Sequence, residues 1–399
     1  MRLTCVFVLA ILWFVPAGAL AQMPFTPVPS PTTMSATEDS ILTPADSANV
    51  LDPWYASSEF ILWWLREGHV PPLLTTSSFA SAGRLGEADT RVLYGEDSLQ
   101  TRHGDRFNGV RLTLGYALDA EGSWAVEGRA FLLERDSTYY KTVSNGDVLL
   151  ARPYINALTG LPDSEVIAGP IPQGLRTGGF VGYSRVELFG EEANLVAELA
   201  SSPSARLDLL VGAHFLQMRD RLDLTATGRL LPDQTTLFGL TDHLHVHDCF
   251  YGGQTGLRGE FVRGRWFVNV QATVALGGTV QTIEAYGDRT YQTPQQKIVQ
   301  PFGLAVLPSN RGTFGQTDFD VVAETGVNVG YQLTQWLRTW VGYNFLYWNN
   351  PIRAGDQVDV VVNPTQLQGP LVGPARPTVP FHEATFWAQG LTAGVEFRW

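Results

Sequence analysis

Three histidines at alternate positions, His243, His245 and His247, run directly into Asp248 and Cys249. In an extended chain, side chains two apart share a face, so the three imidazoles would stand together with a carboxylate or thiolate beside them. Such donors hold Zn2+, Ni2+ or Cu2+. Side chains two apart on one strand also diverge outward, and unaided they do not close a tetrahedral site. The expectation is therefore surface histidines with no resident metal and no cofactor. Two adjacent couples, Asp242 with His243 and His382 with Glu383, carry residue types used in general acid–base chemistry. Neighbours on a strand point to opposite faces, so neither couple forms a dyad. HExxH, GxSxG and GxxxxGK[ST] are all missing from the chain, and with them the zinc-protease, serine-hydrolase and phosphate-loop signatures. These residues point to a protein that is not an enzyme.

The elements that would carry these side chains alternate with a period of two, which signals strands. At the end of the chain Leu391, Ala393, Val395, Phe397 and Trp399 share one face, opposed by Thr392, Gly394, Glu396 and Arg398. Val110, Leu112, Leu114 and Tyr116 repeat the pattern, as do Leu207, Leu209, Val211, Ala213 and Phe215. With weaker segments near 56–66, 184–200 and 250–262, about ten strands are expected, with eight to twelve as the range. Short links near 119–122, 201–204, 263–264 and 333–335 alternate with long ones near 67–105, 137–183, 226–249, 286–317 and 351–383. A two-residue turn at Arg263-Gly264 would pair Phe261 with Trp266, both on the apolar face. Tight turns at one end and long loops at the other, with aromatics near strand ends, describe an antiparallel up-and-down transmembrane β-barrel. The all-β alternative, a soluble sandwich, does not require that alternation of link lengths.

If parity holds, the polar face fills the lumen. It carries Arg111, Arg129, Arg206, Arg258, Arg338 and Arg398, together with Glu127, Glu198, Asp208, Glu260, Asp320, Glu324 and Glu396. The two signs nearly balance, and arginine favours bidentate pairing with carboxylates. Ion pairs across a narrow barrel, with Phe131, Phe267 and Trp340 pointing inward, are expected to close it. Removing Arg338 and Glu324 together would then raise conductance.

Composition narrows the surroundings. Only 17% of residues are charged, against roughly 25% in soluble globular chains. A net charge of −12 opposes non-specific nucleic-acid binding, which needs a basic surface. Arg2, the apolar run Val6 to Val15 and the small-x-small site Ala19-Leu20-Ala21 form an export leader over residues 1–21. Residues 22–55, with Pro24, Pro27, Pro29 and Pro31, read as a flexible Pro/Ser/Thr-rich lead-in, and 56–399 as the barrel.

Several segments are similar to the family of bacterial outer-membrane proteins called putative beta-barrel porin family seven. They are GVRLTLGYALD (109–119), WAVEGRAFLLERD (124–136), RLDLLVGAHF (206–215), YGGQTGLRGEF (251–261) with RGRWFV (263–268), GVNVGYQLT (326–334), VGYNFLYWNNP (341–351) and WAQGLTAGVEFRW (387–399). WWLREGHVPPLLTT (63–76) resembles the family's first strand and loop. The resemblance covers nearly all of the chain after residue 56 and implies an outer-membrane barrel with a porin-like label and no fixed substrate. The expected partners are the outer-membrane bilayer and the assembly machinery, for which Phe397 and Trp399 would be the terminal signal. The expected role is envelope structure, surface adhesion or restricted solute passage. An open diffusion porin and a hydrolase active at the barrel rim are the alternatives.

Overall fold

The computed structural model describes residues 53–96, 106–232, 235–367 and 369–399. The leader and most of the lead-in, expected over residues 1–52, lie outside the described residues. Ten antiparallel strands form the wall: β1 (Trp54–Leu65), β2 (Arg106–Ala117), β3 (Trp124–Leu133), β4 (Gly174–Ser202), β5 (Ala205–Leu231), β6 (Leu237–Arg263), β7 (Trp266–Gln292), β8 (Gly312–Gln332), β9 (Leu337–Trp348) and β10 (Phe386–Arg398). Each pairs with its chain neighbour, and β10 returns to β1. The ring is therefore closed, and each wall strand is paired on both sides over its lower part. At the seam Trp54 and Trp399 exchange backbone hydrogen bonds of 3.2 and 3.1 Å. Among the described residues no helix is long and apolar enough to cross a membrane.

The outer face carries a continuous apolar belt. Phe60, Leu112, Val126, Leu195, Val211, Leu257, Val274, Val327, Val341 and Leu391, one from each strand, are all exposed. Trp124, Phe261, Trp266 and Trp399 stand exposed toward the short-turn end. On β5 the apolar outward residues run from Leu207 to Phe215, close to the 9–11 residues a tilted strand needs to cross the hydrocarbon. Phe215 packs on Tyr251 of β6 at 5.0 Å and on Phe189 of β4 at 6.3 Å, which marks the upper edge of the belt.

Above that edge the strands continue, and here the structure corrects the expected link lengths. β4 is 29 residues long and β5, β6 and β7 are 27 each. The long links expected at 137–183, 226–249 and 286–317 are largely strand, and β5 joins β6 through residues 232–236 alone. Period two persists through these extensions, but the faces exchange chemistry. Outward positions become Arg219, Arg221, Asp223, His243, His245 and His247, while Leu222, Leu224, Leu240, Val246 and Ile283 turn inward and are buried. Water replaces lipid outside, so the apolar side moves in. The β6–β7 register also differs from expectation: Phe261 pairs with Val268 and Trp266 with Arg263. The turn is Gly264-Arg265, with Gly264 in the left-handed region at φ 62°. The two-residue shift leaves every side chain on its face.

Segments from the long links form a small second sheet of Leu74–Thr76, Arg91–Tyr94, Leu150–Asn156, Pro162–Ile171 and Val361–Val362. Their apolar residues join Leu222, Phe238, Val246 and Ile283 of the upper wall in one core. The loops thus fold onto the inside of the barrel mouth.

A closed ring satisfies its strand amides internally and resists detergent until heated. The protein extracted in dodecyl sulfate should migrate differently before and after boiling. Identical migration of both samples would contradict the closed ring.

Candidate functional site

The lumen is built in layers. Toward the short-turn end lies a charged layer set by parity on consecutive strands. Glu127 of β3 accepts a bidentate pair from Arg258 of β6 at 2.9 and 2.6 Å, and the Tyr55 hydroxyl donates to it at 2.9 Å. Glu324 of β8 accepts from Arg111 at 2.7 Å and from Arg129 at 2.9 Å. Arg111 also lies 3.6 Å from Glu59, and Arg129 lies 3.1 Å from Glu192. Arg338 bridges Glu260 at 2.8 Å and Glu396 at 2.9 Å, and Arg398 reaches Glu396 at 2.7 Å. Arg206 holds Asp208 at 2.7 Å and Glu198 at 3.2 Å. Charge-assisted bonds of this length satisfy ions that the barrel interior would otherwise leave unsolvated. Asp320 is placed apart from this layer and accepts from neutral donors, Thr279 at 2.7 Å and the Trp348 indole at 2.8 Å. Glu59 and Glu192 belong to the layer and were not singled out from the sequence. Glu59 had a signal, being the one charged residue in β1.

Above the charges is an apolar layer to which every strand contributes. Trp63 comes from β1, Phe107 from β2, Phe131 from β3, Leu188 from β4, Leu216 and Met218 from β5, and Phe250 from β6. Ala275, Val322, Trp348 and Phe386 follow from β7 to β10. All are at most 4% exposed. Trp63 packs on Phe131 at 5.3 Å, and the Arg111 guanidinium lies 5.5 Å from the Trp63 ring and 5.6 Å from the Phe131 ring. Ion pairs are thus one part of what fills the lumen, and a ring of apolar side chains drawn from all ten strands is another.

Higher still, buried aspartates hold loop backbone inside the barrel. The segment after β9 crosses the lumen in front of four successive strands. Asn350 N–H donates to Asp320 of β8 at 3.2 Å, and the Asn350 carbonyl accepts from Gln281 of β7 at 2.7 Å. Ile352 N–H donates to Asp248 of β6 at 3.1 Å, and Ala354 N–H to Asp220 of β5 at 3.2 Å. Arg353 adds an ion pair to Asp220 at 2.6 Å. In the same manner Asp242 accepts from Leu304 N–H and Val306 N–H, both at 2.9 Å, and pairs with Arg152. Asp242 therefore faces inward while His243 faces outward, and the couple is no dyad. Glu383 accepts from Gln316 at 3.2 Å, and the His382 backbone engages Gln357.

On the outer face of the extension, His243 and His245 converge on Asp223, which lies directly across from His243 on β5. His243 Nδ1 is 2.5 Å and His245 Nε2 3.0 Å from the same Asp223 oxygen. Tyr286 stacks on the His243 ring at 4.6 Å. Burial raises the Asp223 carboxyl, but the two imidazole bonds outweigh it and hold it below the usual range. The bond to Asp223 in turn raises His243. His247 lies apart from this group; burial, with Arg219 and Arg221, lowers it.

Truncating one member of a buried ion pair strands its partner, at a cost of about 3–5 kcal/mol. Arg258→Ala should destabilise the barrel by that order in equilibrium urea unfolding from lipid vesicles, and adding Glu127→Gln should recover part of the loss. An unchanged midpoint in the single variant would show that the pair contributes nothing.

The family model described as Putative beta barrel porin-7 (BBP7) matches residues 55–399. No curated protein sequence matches the chain significantly. Among solved structures the chain is similar to the outer membrane protease OmpT from Escherichia coli, at 10% identity over 87% of this chain and 97% of that one, with a TM-score of 0.40. It is also similar to OmpT, an outer membrane protein of Vibrio cholerae folded in vitro, at 10% identity, 90% and 100% coverage and a TM-score of 0.17. A third is the P. putida toluene transporter TodX, at 10% identity, 90% and 93% coverage and a TM-score of 0.18. The family match runs from Tyr55 to Trp399 and takes in part or all of each of the ten wall strands, and the chain belongs to the putative beta barrel porin-7 family.

Proposed function

We propose that this porin-like barrel serves the bacterial outer membrane as an envelope scaffold that presents a loop cap outside, closed to steady solute flow and without catalytic activity. The observation that carries this reading is the apolar layer. All ten strands contribute to it, and none of its members is more than 8% exposed. Water and ions avoid a constriction walled by apolar side chains, and the loops held by Asp220, Asp242, Asp248 and Asp320 lie above it. Ten strands also sit near the narrow end of the range, since about eight leave a bore that side chains fill and 16–18 leave an aqueous channel. Export by the leader of residues 1–21 supplies the route to the membrane.

The test is conductance in a planar bilayer. The native protein should give no steady current. The Arg338→Ala/Glu324→Ala variant should also stay closed, because both residues lie in the charged layer and leave the apolar one whole; this revises the gain expected from sequence. Large, stable, ohmic channels in the native protein would establish the open diffusion porin instead.

The C-terminal strand is also the closing strand. Phe397 faces outward and stacks on Trp336 at 5.9 Å, and Trp399 completes the seam with Trp54. We propose that Phe397 and Trp399 are read by the assembly machinery. Deleting Phe397-Arg398-Trp399 should reduce the outer-membrane level of the protein at least tenfold. Normal levels of heat-modifiable truncated protein would refute this.

A further inference from the structure

The three donors that converge on the outer wall have a use that the lumen does not explain. Alternate histidines on one strand diverge, and that is the reason for expecting no metal at His243, His245 and His247. The neighbouring strand removes the difficulty. Asp223 stands across from His243 in register, and its carboxylate reaches toward both His243 and His245, so that a single oxygen lies between the two imidazoles. The donor atoms of Asp223, His243 and His245 all lie within 4.8 Å of one another.

We infer that Asp223, His243 and His245 form a binding site for a borderline divalent cation of the Zn2+ class, on the outward face of the barrel above the apolar belt. Two imidazoles and one carboxylate are a donor set that Zn2+ takes with a fourth position left to water. Zinc–nitrogen and zinc–oxygen bonds of about 2.0–2.2 Å put tetrahedral ligands roughly 3.3 Å apart. The present separations of 2.5 and 3.0 Å to the Asp223 oxygen need to open by under about an ångström. The side chains are only 13–26% exposed, so the wall supports them, yet they are not sealed from the medium. Tyr286 of β7 fixes the ring plane of His243 by stacking at 4.6 Å and meets His245 edge-on at 5.3 Å. Such support from behind keeps a ligating imidazole in one orientation. Glu284, opposite His245 on β7, adds negative charge beside the site. His247, one step nearer the membrane and beside Arg219 and Arg221, is outside the site. The cation would tie β5 to β6 in the part of the wall that no lipid supports.

The experiment uses the full barrel refolded in detergent, stripped with chelator, equilibrated with micromolar Zn2+ and gel-filtered, with bound metal measured by elemental analysis. The native protein should retain one equivalent. Asp223→Asn and the His243→Ala/His245→Ala double variant should lose it, and His247→Ala should keep it. A probe on the native protein covers the case in which a variant does not fold. Zn2+ should protect His243 and His245, but not His247, from acylation by diethyl pyrocarbonate. Absence of retained zinc in heat-modifiable native protein, equal retention in the double variant, or equal acylation of His243 and His245 with and without Zn2+ would each overturn the assignment.

Discussion

A strand that leaves hydrocarbon for water must change which of its faces is apolar, and this constraint organises the whole molecule. Below the row of Phe189, Phe215 and Tyr251 the lipid takes the apolar side chains, so the interior receives the polar ones and must neutralise them. Above the row the solvent takes the polar side chains, so the interior receives the apolar ones and must cover them. The charged layer and the loop-filled mouth are two answers to one change of surroundings along the same strands. Between them the apolar layer is where the interior has already turned apolar while the wall still stands near the belt.

The lower answer depends on geometry as much as on charge. Glu324 serves Arg111 and Arg129 together, and Arg338 serves Glu260 and Glu396. Glu324 and Arg338 each have partners on two other strands, so these pairs resist relative sliding of strands as well as outward expansion. Aromatic faces beside the guanidinium groups, as with Arg338 over Phe267 at 4.8 Å, supply contact that needs no counterion.

The lower wall was legible in the sequence because lipid-facing alternation is one-sided. Leu207 to Phe215 can be read only one way, and parity alone then places Arg206 and Asp208 inside. The extensions escaped because the same period carries the opposite polarity: Leu222, Leu224 and Ala226 alternate as well as Leu207 and Leu209 do, but face the other way. Partnerships escaped for a different reason. Arg111 and Glu324 are 213 residues apart, and nothing local at either position names the other. Asp223 likewise acquires His243 and His245 only through the β5–β6 register. Of the aspartates inside the mouth, parity turns Asp320 inward, but nothing marks any of them as a loop anchor, since a carboxylate that accepts loop amides looks in sequence like any solvated one.

Those aspartates have a mechanical consequence. The chain from Asn350 to Ala354 is fastened at alternate amides to β8, β6 and β5, with β7 holding a carbonyl between them. It is a stitch laid across the weave. Wall strands bound only edge to edge can shear past one another like slats, whereas slats sewn to a common thread must shift together or not at all. Loosening one fastening transfers its load to the next, so the mouth should yield in a single event, as a seam does when it tears, and not by gradual fraying from the rim.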